Sequence, residues 1–416
     1  MRTEPGERWW IVVASALGLL VGNGPVMQFT FGTLLPSITG QLGWSRGLVS
    51  SALVVGLWVT GIATPVFGRL VDRFGIRAVA LPAIAVFSLA TAAVALVPAS
   101  PVAFTALYAV MGLGAAGQTP LIYAQAISAR FDRERGLALG IALAGVGLGA
   151  ALVPQFAHRL IGIAGWRGAY AGLGALTFLL AFPAVALFVG RPVGGRERRA
   201  PSGPIAAMPG LTGVEALGTP RFWLLAFSFF VVSGTTGGVI SHLVPLLADR
   251  GVSSQSATAM LGIAGTALIA GRLLSGFLLD RIHAPYVAAV FFLAPLIGIV
   301  VLLSTLRSEG AAIATVLVGI GIGAEVDLIA FLASRYLGMR SFGEIYGYFF
   351  SIFMLGAGLG PFAMGISYDR TGSYKLMLLC FASALGLAGL PMLRLGPYPY
   401  PAERETSREN ALAPTG

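Results

Sequence analysis

Apolar residues in this chain gather into long blocks that are nearly free of charge. Crossing a hydrocarbon layer ~30 Å thick takes a helix of about 20 mostly apolar residues. Blocks of that order run at 10–38, 46–70, 76–98, 101–129, 136–161, 166–190, 220–247, 255–279, 284–306, 310–334, 343–368 and 373–394. The pattern predicts an all-α membrane protein of twelve transmembrane helices. Several blocks contain Gly and Pro, which lipid-embedded helices tolerate when neighbours re-satisfy the backbone. The first block follows Arg8-Trp9-Trp10 and runs past Phe31, much longer than the apolar core of a cleaved signal. It is read as a retained first helix.

The polar segments between blocks are short, with one exception. Residues 191–219 hold Gly194-Gly195, Pro201, Pro204, Pro209 and several arginines, the composition of a solvated linker. The expected division is a six-helix bundle over 1–190, the linker over 191–219 and a second six-helix bundle over 220–394. The tail at 395–416, with Pro397, Pro399, Pro401 and mixed charges, is expected to be disordered. Internal repeats agree with this division. Gly68-Arg69-Leu70-Val71-Asp72-Arg73 follows the second block, and Gly276-Phe277-Leu278-Leu279-Asp280-Arg281 follows the eighth, at an offset of 208 residues. Ala129-Arg130-Phe131 answers to Ser334-Arg335-Tyr336, and the glycine run Gly145–Gly149 answers to Gly356–Gly360.

Composition excludes an ordinary soluble domain. Charged residues make up 11% of the chain and hydrophobic residues 56%, against roughly 25% charged in soluble proteins. The formal charge of +10 does not point to nucleic acid, because its arginines are scattered over loops and lysine occurs once, at Lys375. The positive-inside rule accounts for them better. Arg69, Arg73, Arg77, Arg130, Arg133, Arg135 and the linker arginines fall on one side, while the other side is poorer, with Arg46, Arg159, Arg167, Arg250 and Arg307. Both termini are therefore expected in the cytoplasm, with the chain spanning the cell (inner) membrane many times. A lone Cys380 leaves no disulfide. His158, His242 and His283 stand far apart, and no metal cluster, phosphate loop or nucleophile motif is present. No cofactor, direct use of ATP or enzymatic activity is expected. The tails and linker carry no recognisable output domain, which counts against a receptor.

Gly68-Arg69-Leu70-Val71-Asp72-Arg73-Phe74-Gly75-Ile76-Arg77 resembles the loop 2–3 signature of the major facilitator superfamily. The resemblance implies two pseudo-symmetric six-helix bundles rocking about a midplane site. Gly68 and Gly75 let helix ends approach closely, and Asp72 can cap a helix end. Arg69, Arg73 and Arg77, with Asp280 and Arg281 in the repeat, are the expected gating residues of the cytoplasmic side. Within the superfamily, Arg130–Gly140 continuing to Gly145–Gly149 is similar to helices 4–5 of monocarboxylate transporters and their oxalate/formate antiporter relatives. Gly271-Arg272 before Gly276 resembles that group's helix 8, which implies carboxylate binding by Arg272. The match departs from its relatives in having no second intramembrane cation and in placing Leu268 where some carry an acid. Those departures suit a substrate with one carboxylate, with helix 10 taking over the acid's role.

Independently of any family, only Arg272, Glu325 and Asp327 fall well inside the predicted spans. Ionisable groups at depth cost ~2.5–3.5 kcal/mol or more on insertion scales and mark function or a partner. Arg272 precedes Asp280 by eight residues, and Asp327 precedes Arg335 by eight. At 1.5 Å per residue both lie ~12 Å from the ends of their helices, at one level. They are expected to pair in the empty carrier. Glu325 and Asp327 sit about 200° apart on a helix, so only one can face a narrow groove; the spacing leaves open which. Desolvation would favour their neutral forms and Arg272 the charged ones, the opposition a proton-coupled carrier uses. His242, a residue type that titrates near neutrality, reads as interfacial. Asn23, Gln28, Gln118, Tyr123 and Tyr346 fall on helices that line the cavity in this superfamily. They are candidate substrate contacts, with interhelical hydrogen bonding the competing role.

The expected function is secondary active transport of a small organic anion, a monocarboxylate, by a monomer in the lipid bilayer. Alternating access would be coupled to protons or to a counter-anion. The alternative is proton-coupled efflux of hydrophobic or cationic compounds, with Glu325 or Asp327 as the cation site and Arg272 sequestered.

Overall fold

The computed structural model describes residues 9–128, 130–131, 134–189, 209–304 and 308–400. Most of the expected linker, most of the tail, and Asp132 and Arg133 of the second motif thus lie outside the described residues, as does the Asp72 side chain. Among the described residues, ten continuous apolar helices are long enough to cross a bilayer. One of them, α7 (Arg135–Phe188), has 54 residues, about 80 Å at 1.5 Å per residue, which no ~30 Å layer accommodates. It is a hairpin. Ala164 and Gly165 leave helical geometry, Gly165 at φ +66° and ψ −176°, a conformation open to glycine. Counting this hairpin as two crossings and adding the broken fourth crossing gives the expected twelve.

Both interrupted crossings lie in the first half. The first is α1 (Trp9–Leu20), a π-helical turn at Gly24–Phe29 and α2 (Phe31–Leu42). Gly22, Gly24 and Pro25 surround the break, and Asn23 caps the π turn without a side-chain bond. The fourth is α5 (Pro101–Ala116) followed by α6 (Pro120–Ser128), with Gln118 and Thr119 in the gap. Pro120 lacks the N–H needed to carry the α5 ladder onward. Between them run α3 (Arg46–Phe74) and α4 (Ile76–Ala93), with Gly75 joining them at φ +83°. The second half comprises α9 (Pro220–Ala248), α10 (Ser254–Leu279), α11 (Ala284–Ser304), α12 (Ser308–Tyr336), α13 (Phe342–Thr371) and α14 (Lys375–Leu393). An even number of crossings puts Trp9 and Leu393 on one side, here the terminal face; the opposite side is the distal face.

Glycine stripes set the helix spacing. A Cβ on Gly145 or Gly149 would collide with the carbonyl oxygens of Ala16 and Leu20 on α1, and one on Gly360 with that of Gly234 on α9. Membrane helices lack a hydrophobic drive toward each other, and small residues let dispersion contacts replace it. Large apolar side chains such as Leu96, Val102 and Ile163 remain 79–85% exposed, as a lipid-facing surface requires.

Two sequence expectations are corrected near the terminal face. The linker's last residues are built into the protein: α8 (Gly213–Leu217) is capped by Thr212 and Glu215 in a reciprocal box. The Thr212 backbone N–H, then its hydroxyl, holds the Glu215 carboxyl below its ordinary range. The same stretch docks on the α12–α13 loop through Leu211 N–H to Leu337 O at 2.8 Å. The start of the tail is ordered as well. Tyr398 packs among His283, Tyr336 and Phe331, and its hydroxyl accepts the Ala284 N–H at 2.7 Å. Proline there stiffens a strap that aromatic contacts hold in place.

Candidate functional site

The two halves touch along their distal portions and part toward the terminal face. On α3 and α13, Trp58 Nε1 donates to Leu355 O at 3.0 Å and Ser351 Oγ to Gly61 O at 3.0 Å. Further on, Gly68, Gly343 and Gly347 have no neighbour within 4 Å of a built Cβ. The second crossing repeats this. Gln155 Nε2 donates to Thr258 O at 2.6 Å and Gly147 packs on Gly265, while Gly140, Gly136 and Gly276 face open space. Consistently, one buried cluster joins Phe31, Leu34 and Ile38 to Ile240, Leu243 and Leu247, whereas the terminal part of the first half has a separate core around Ile11, Tyr123 and Phe131. The protein is open to the terminal face and closed on the distal face.

At the deep end of that opening lies Arg272. Gly271 on α10 and Gly323 on α12 allow the two backbones to meet, a Cβ at Gly323 falling 2.8 Å from the Arg272 nitrogen. This brings Arg272 Nε to 3.3 Å from Asp327 Oδ2, with 12% and 26% of the two side chains exposed. Arg272 Nη1 also donates to Leu143 O of α7 at 3.3 Å, so one guanidinium touches both halves. Nε itself lacks an aligned hydrogen-bond acceptor; the contact with Asp327 is Coulombic and leaves the fork available. Tyr346 on α13 stands within electrostatic reach of both charges. Asp327 turns toward the opening. Glu325 turns away and is buried at 3% exposure, its Oε1 2.8 Å from Thr236 Oγ1.

The remaining candidates form two groups. Gln28 lines a small cavity with Glu325 and Thr236. Asn23, Gln118 and Tyr123 belong to the interrupted crossings, where Asn23 Oδ1, Gln118 Oε1, Thr119 Oγ1 and the Tyr123 hydroxyl are buried without partners. The Tyr123 hydroxyl abuts Gly18. Five residues further along each antiparallel segment are Asn23 and Gln118, which sets the two breaks at one level. Gln118 Nε2 donates to Gly114 O at 3.4 Å, within its own crossing and not toward Arg272. Of the expected gating residues, Arg69, Arg73 and Asp280 are exposed. Arg73 lies over Phe74, and Arg281 stacks on Phe277 and donates to its carbonyl at 2.9 Å. Arg77 is half-buried.

The distal closure was invisible to sequence reasoning. Arg46 binds Asp249 through both terminal nitrogens at 2.6 and 2.8 Å, donates to the Tyr374 hydroxyl at 2.6 Å, and lies 3.7 Å over the Tyr368 ring. Asp369 accepts the backbone N–H groups of Arg46 and Gly47 at 2.9 and 2.8 Å, answering the free donors of the α3 N-terminus. His242, expected at an interface, is fully buried and bridges Ser50 Oγ and the Tyr374 hydroxyl at 3.1 and 3.0 Å. The only available signal was an arginine on the arginine-poor side.

The all-helical fold has counterparts among known proteins. A model of the Major Facilitator Superfamily matches residues 17–361. The chain belongs to that superfamily. It is a multi-pass membrane transporter. Human (Homo sapiens) monocarboxylate transporter 11 is 28% identical over 395 residues, covering 92% of this chain and 82% of that protein. The oxalate:formate antiporter of Oxalobacter formigenes is 25% identical over 409 residues, covering 94% and 93%. Among solved structures, the nucleoside transporter NupG matches with a TM-score of 0.72 at 13% identity, over 93% of this chain and 99% of that one. A bacterial homologue of the human lysosomal transporter Spinster matches at 0.67 and 18% identity over 94% of both chains. These two likenesses establish the fold shared across the superfamily.

The distal closure yields an expected result. Truncating one partner of a buried hydrogen-bonded charge pair costs roughly 2–5 kcal/mol, and partial exposure puts Arg46 at the lower end. Arg46→Ala should therefore favour the distal-open state by roughly thirtyfold. Pulsed-EPR distances between spin labels at the distal ends of α4 and α11 should gain a longer population; an unchanged distribution would remove the latch role.

Proposed function

We propose that the protein is a secondary transporter of small monocarboxylates, which bind Arg272 by displacing Asp327. The observation that carries this reading is the single guanidinium at the end of the opening, touching both halves, held by a carboxylate without an aligned hydrogen bond. An incoming carboxylate offers the fork a bidentate partner that Asp327 does not provide. The displaced Asp327 would then be an uncompensated charge at depth, costly enough to take up a proton. This links anion to proton, or, where a second anion replaces the first, permits exchange. The names of the monocarboxylate transporter and of the oxalate:formate antiporter favour small carboxylates. One cation suits one carboxylate, so dicarboxylates are expected to be poor substrates.

Alternating access would run through the Arg46–Asp249 latch on the distal face and through Gly68, Arg69, Asp72, Arg73, Gly75, Arg77, Asp280 and Arg281 on the terminal face, placed in the cytoplasm by the arginine bias. The two functional units are the six-helix bundles at 1–190 and 220–394. Efflux of cations is disfavoured by the same pair: Asp327 already has a cation, and Glu325 does not face the opening.

Uptake of labelled lactate, pyruvate, acetate and oxalate into proteoliposomes, with and without an inward proton gradient, tests the reading. Monocarboxylates should be taken up and should compete with one another, and oxalate should compete at least tenfold more weakly. Uptake of an organic cation with none of the carboxylates would favour the efflux reading.

A further inference from the structure

Helix α13 packs its sides differently. Phe349 and Gly356 meet α9, through the Phe222 and Phe229 rings and the Phe230 carbonyl. Ser351 and Gly358 meet α3, at Gly61 O and Trp58. Leu359, on a third side, stands exposed as a lipid-facing residue does. The side left over carries Tyr346, Phe350 and Phe353, four and three residues apart and therefore neighbours on the helix surface. All three are buried. Their rings run nearly parallel, with Tyr346 and Phe350 at 15° and Phe350 and Phe353 at 18°, and centroids 6.1 Å apart in both pairs. This aromatic ladder points inward. At its deep end Phe353 lines the small cavity with Gln28 and Phe29 of the first crossing. At its other end Tyr346 is within electrostatic reach of Arg272 and Asp327.

Beside the ladder the interior is not filled. Gly343 and Gly347 lie one turn apart, next to Tyr346 and Phe350, and a Cβ built on either meets nothing within 4 Å. Packed interiors leave few voids wider than a water, so open space against buried rings belongs to the path. Phe350 lies about 12 Å from the start of α13, level with Arg272 and Asp327 on α10 and α12. A carboxylate held by Arg272 thus has the recess and its aromatic wall at its own depth.

We infer that Tyr346, Phe350 and the Gly343–Gly347 recess form a specificity subsite for the body of the anion. The preferred substrates are aryl monocarboxylates, acids with one aromatic ring a short chain away from a single carboxyl group. The carboxylate takes Arg272, and the ring fills the recess against Tyr346 and Phe350. Aromatic pairs gain from offset or edge-to-face geometry beyond the area they bury. A saturated ring of equal size fills the same space without that gain, and acetate leaves the recess to water. This inference rests on the proposed binding of monocarboxylates at Arg272 and names the class among them.

Matched 2-oxo acids test it, because their heads are identical. Isothermal titration of the purified full-length protein should show phenylpyruvate binding at least tenfold more tightly than pyruvate, and about threefold more tightly than 3-cyclohexylpyruvate. Gly347→Leu fills the recess and should bring the phenylpyruvate-to-pyruvate ratio down to about one. Phe350→Leu should remove the preference for the aromatic over the saturated ring. Equal binding of pyruvate and phenylpyruvate by the wild type would overturn the proposal. So would equal binding of the phenyl and cyclohexyl acids, or an undiminished ratio in a monodisperse Gly347→Leu protein. If Gly347→Leu does not fold, the three wild-type titrations decide. Binding of pyruvate without phenylpyruvate would refute the aryl subsite alone; binding of neither would refute the carboxylate reading and the subsite with it.

Discussion

Replacing Arg272 by alanine is expected to abolish carboxylate transport, with a loss of roughly thirtyfold to a few thousandfold in uptake. The estimate follows from the roughly 2–5 kcal/mol cost of removing one partner from a buried charged contact, at 1.4 kcal/mol per factor of ten. Alanine removes the cation that the anion needs and leaves Asp327 repelling it. Arg272→Lys keeps the charge but loses the planar fork, so it should retain partial activity. A merely structural pair makes a different forecast. If Arg272 served only to neutralise Asp327, the double substitution Arg272→Ala with Asp327→Asn would restore both folding and transport. Here it should restore thermal stability in detergent while uptake stays lost.

Gly360→Leu should leave no correctly assembled carrier. A Cβ at this position falls within the radius of the Gly234 carbonyl oxygen, and Gly356 meets Phe230 O in the same way one turn earlier. The obstacle is backbone, which no rotamer change relieves. Overpacking in an accommodating core costs about 1–3 kcal/mol, and here α9 and α13 would have to separate, taking Ser233 from Phe353 O at 2.8 Å. Size-exclusion chromatography should show aggregate in place of a monodisperse peak. Gly389→Leu on α14, with nothing within 4 Å, should behave as wild type. A monodisperse Gly360→Leu protein would mean that the close crossing is dispensable.

The twelve crossings were legible because a bilayer forces each to be long and apolar, and the turn at Ala164–Gly165 fell between two expected blocks. The Arg272–Asp327 level was legible because equal spacing from helix ends converts directly into depth. Facing was not: the 200° between Glu325 and Asp327 fixes their relation to each other, and only the glycine-mediated contact of α10 with α12 decides which one turns inward. The breaks beside Asn23 and Gln118 were hidden for a related reason, since Gly and Pro also occur in unbroken membrane helices such as α13, which contains Pro361. The latch was least accessible. Arg46, Asp249 and the pair Asp369 and Tyr374 come from three separate stretches, and each reads alone as an ordinary membrane-boundary residue. Charge inventories by depth find groups that pay a membrane penalty; they pass over groups at the boundary whose meaning lies in each other.

The account turns on whether Asp327 occupies the place an anion would take. Isothermal titration of the purified protein with the best-transported acid of the carboxylate panel measures this. Wild type should bind, Arg272→Ala should give no heat, and Asp327→Asn, freed of the competing carboxylate, should bind about tenfold more tightly, as removal of ~1.4 kcal/mol of competition requires. Equal affinity in all three proteins, or weaker binding in Asp327→Asn, would contradict it.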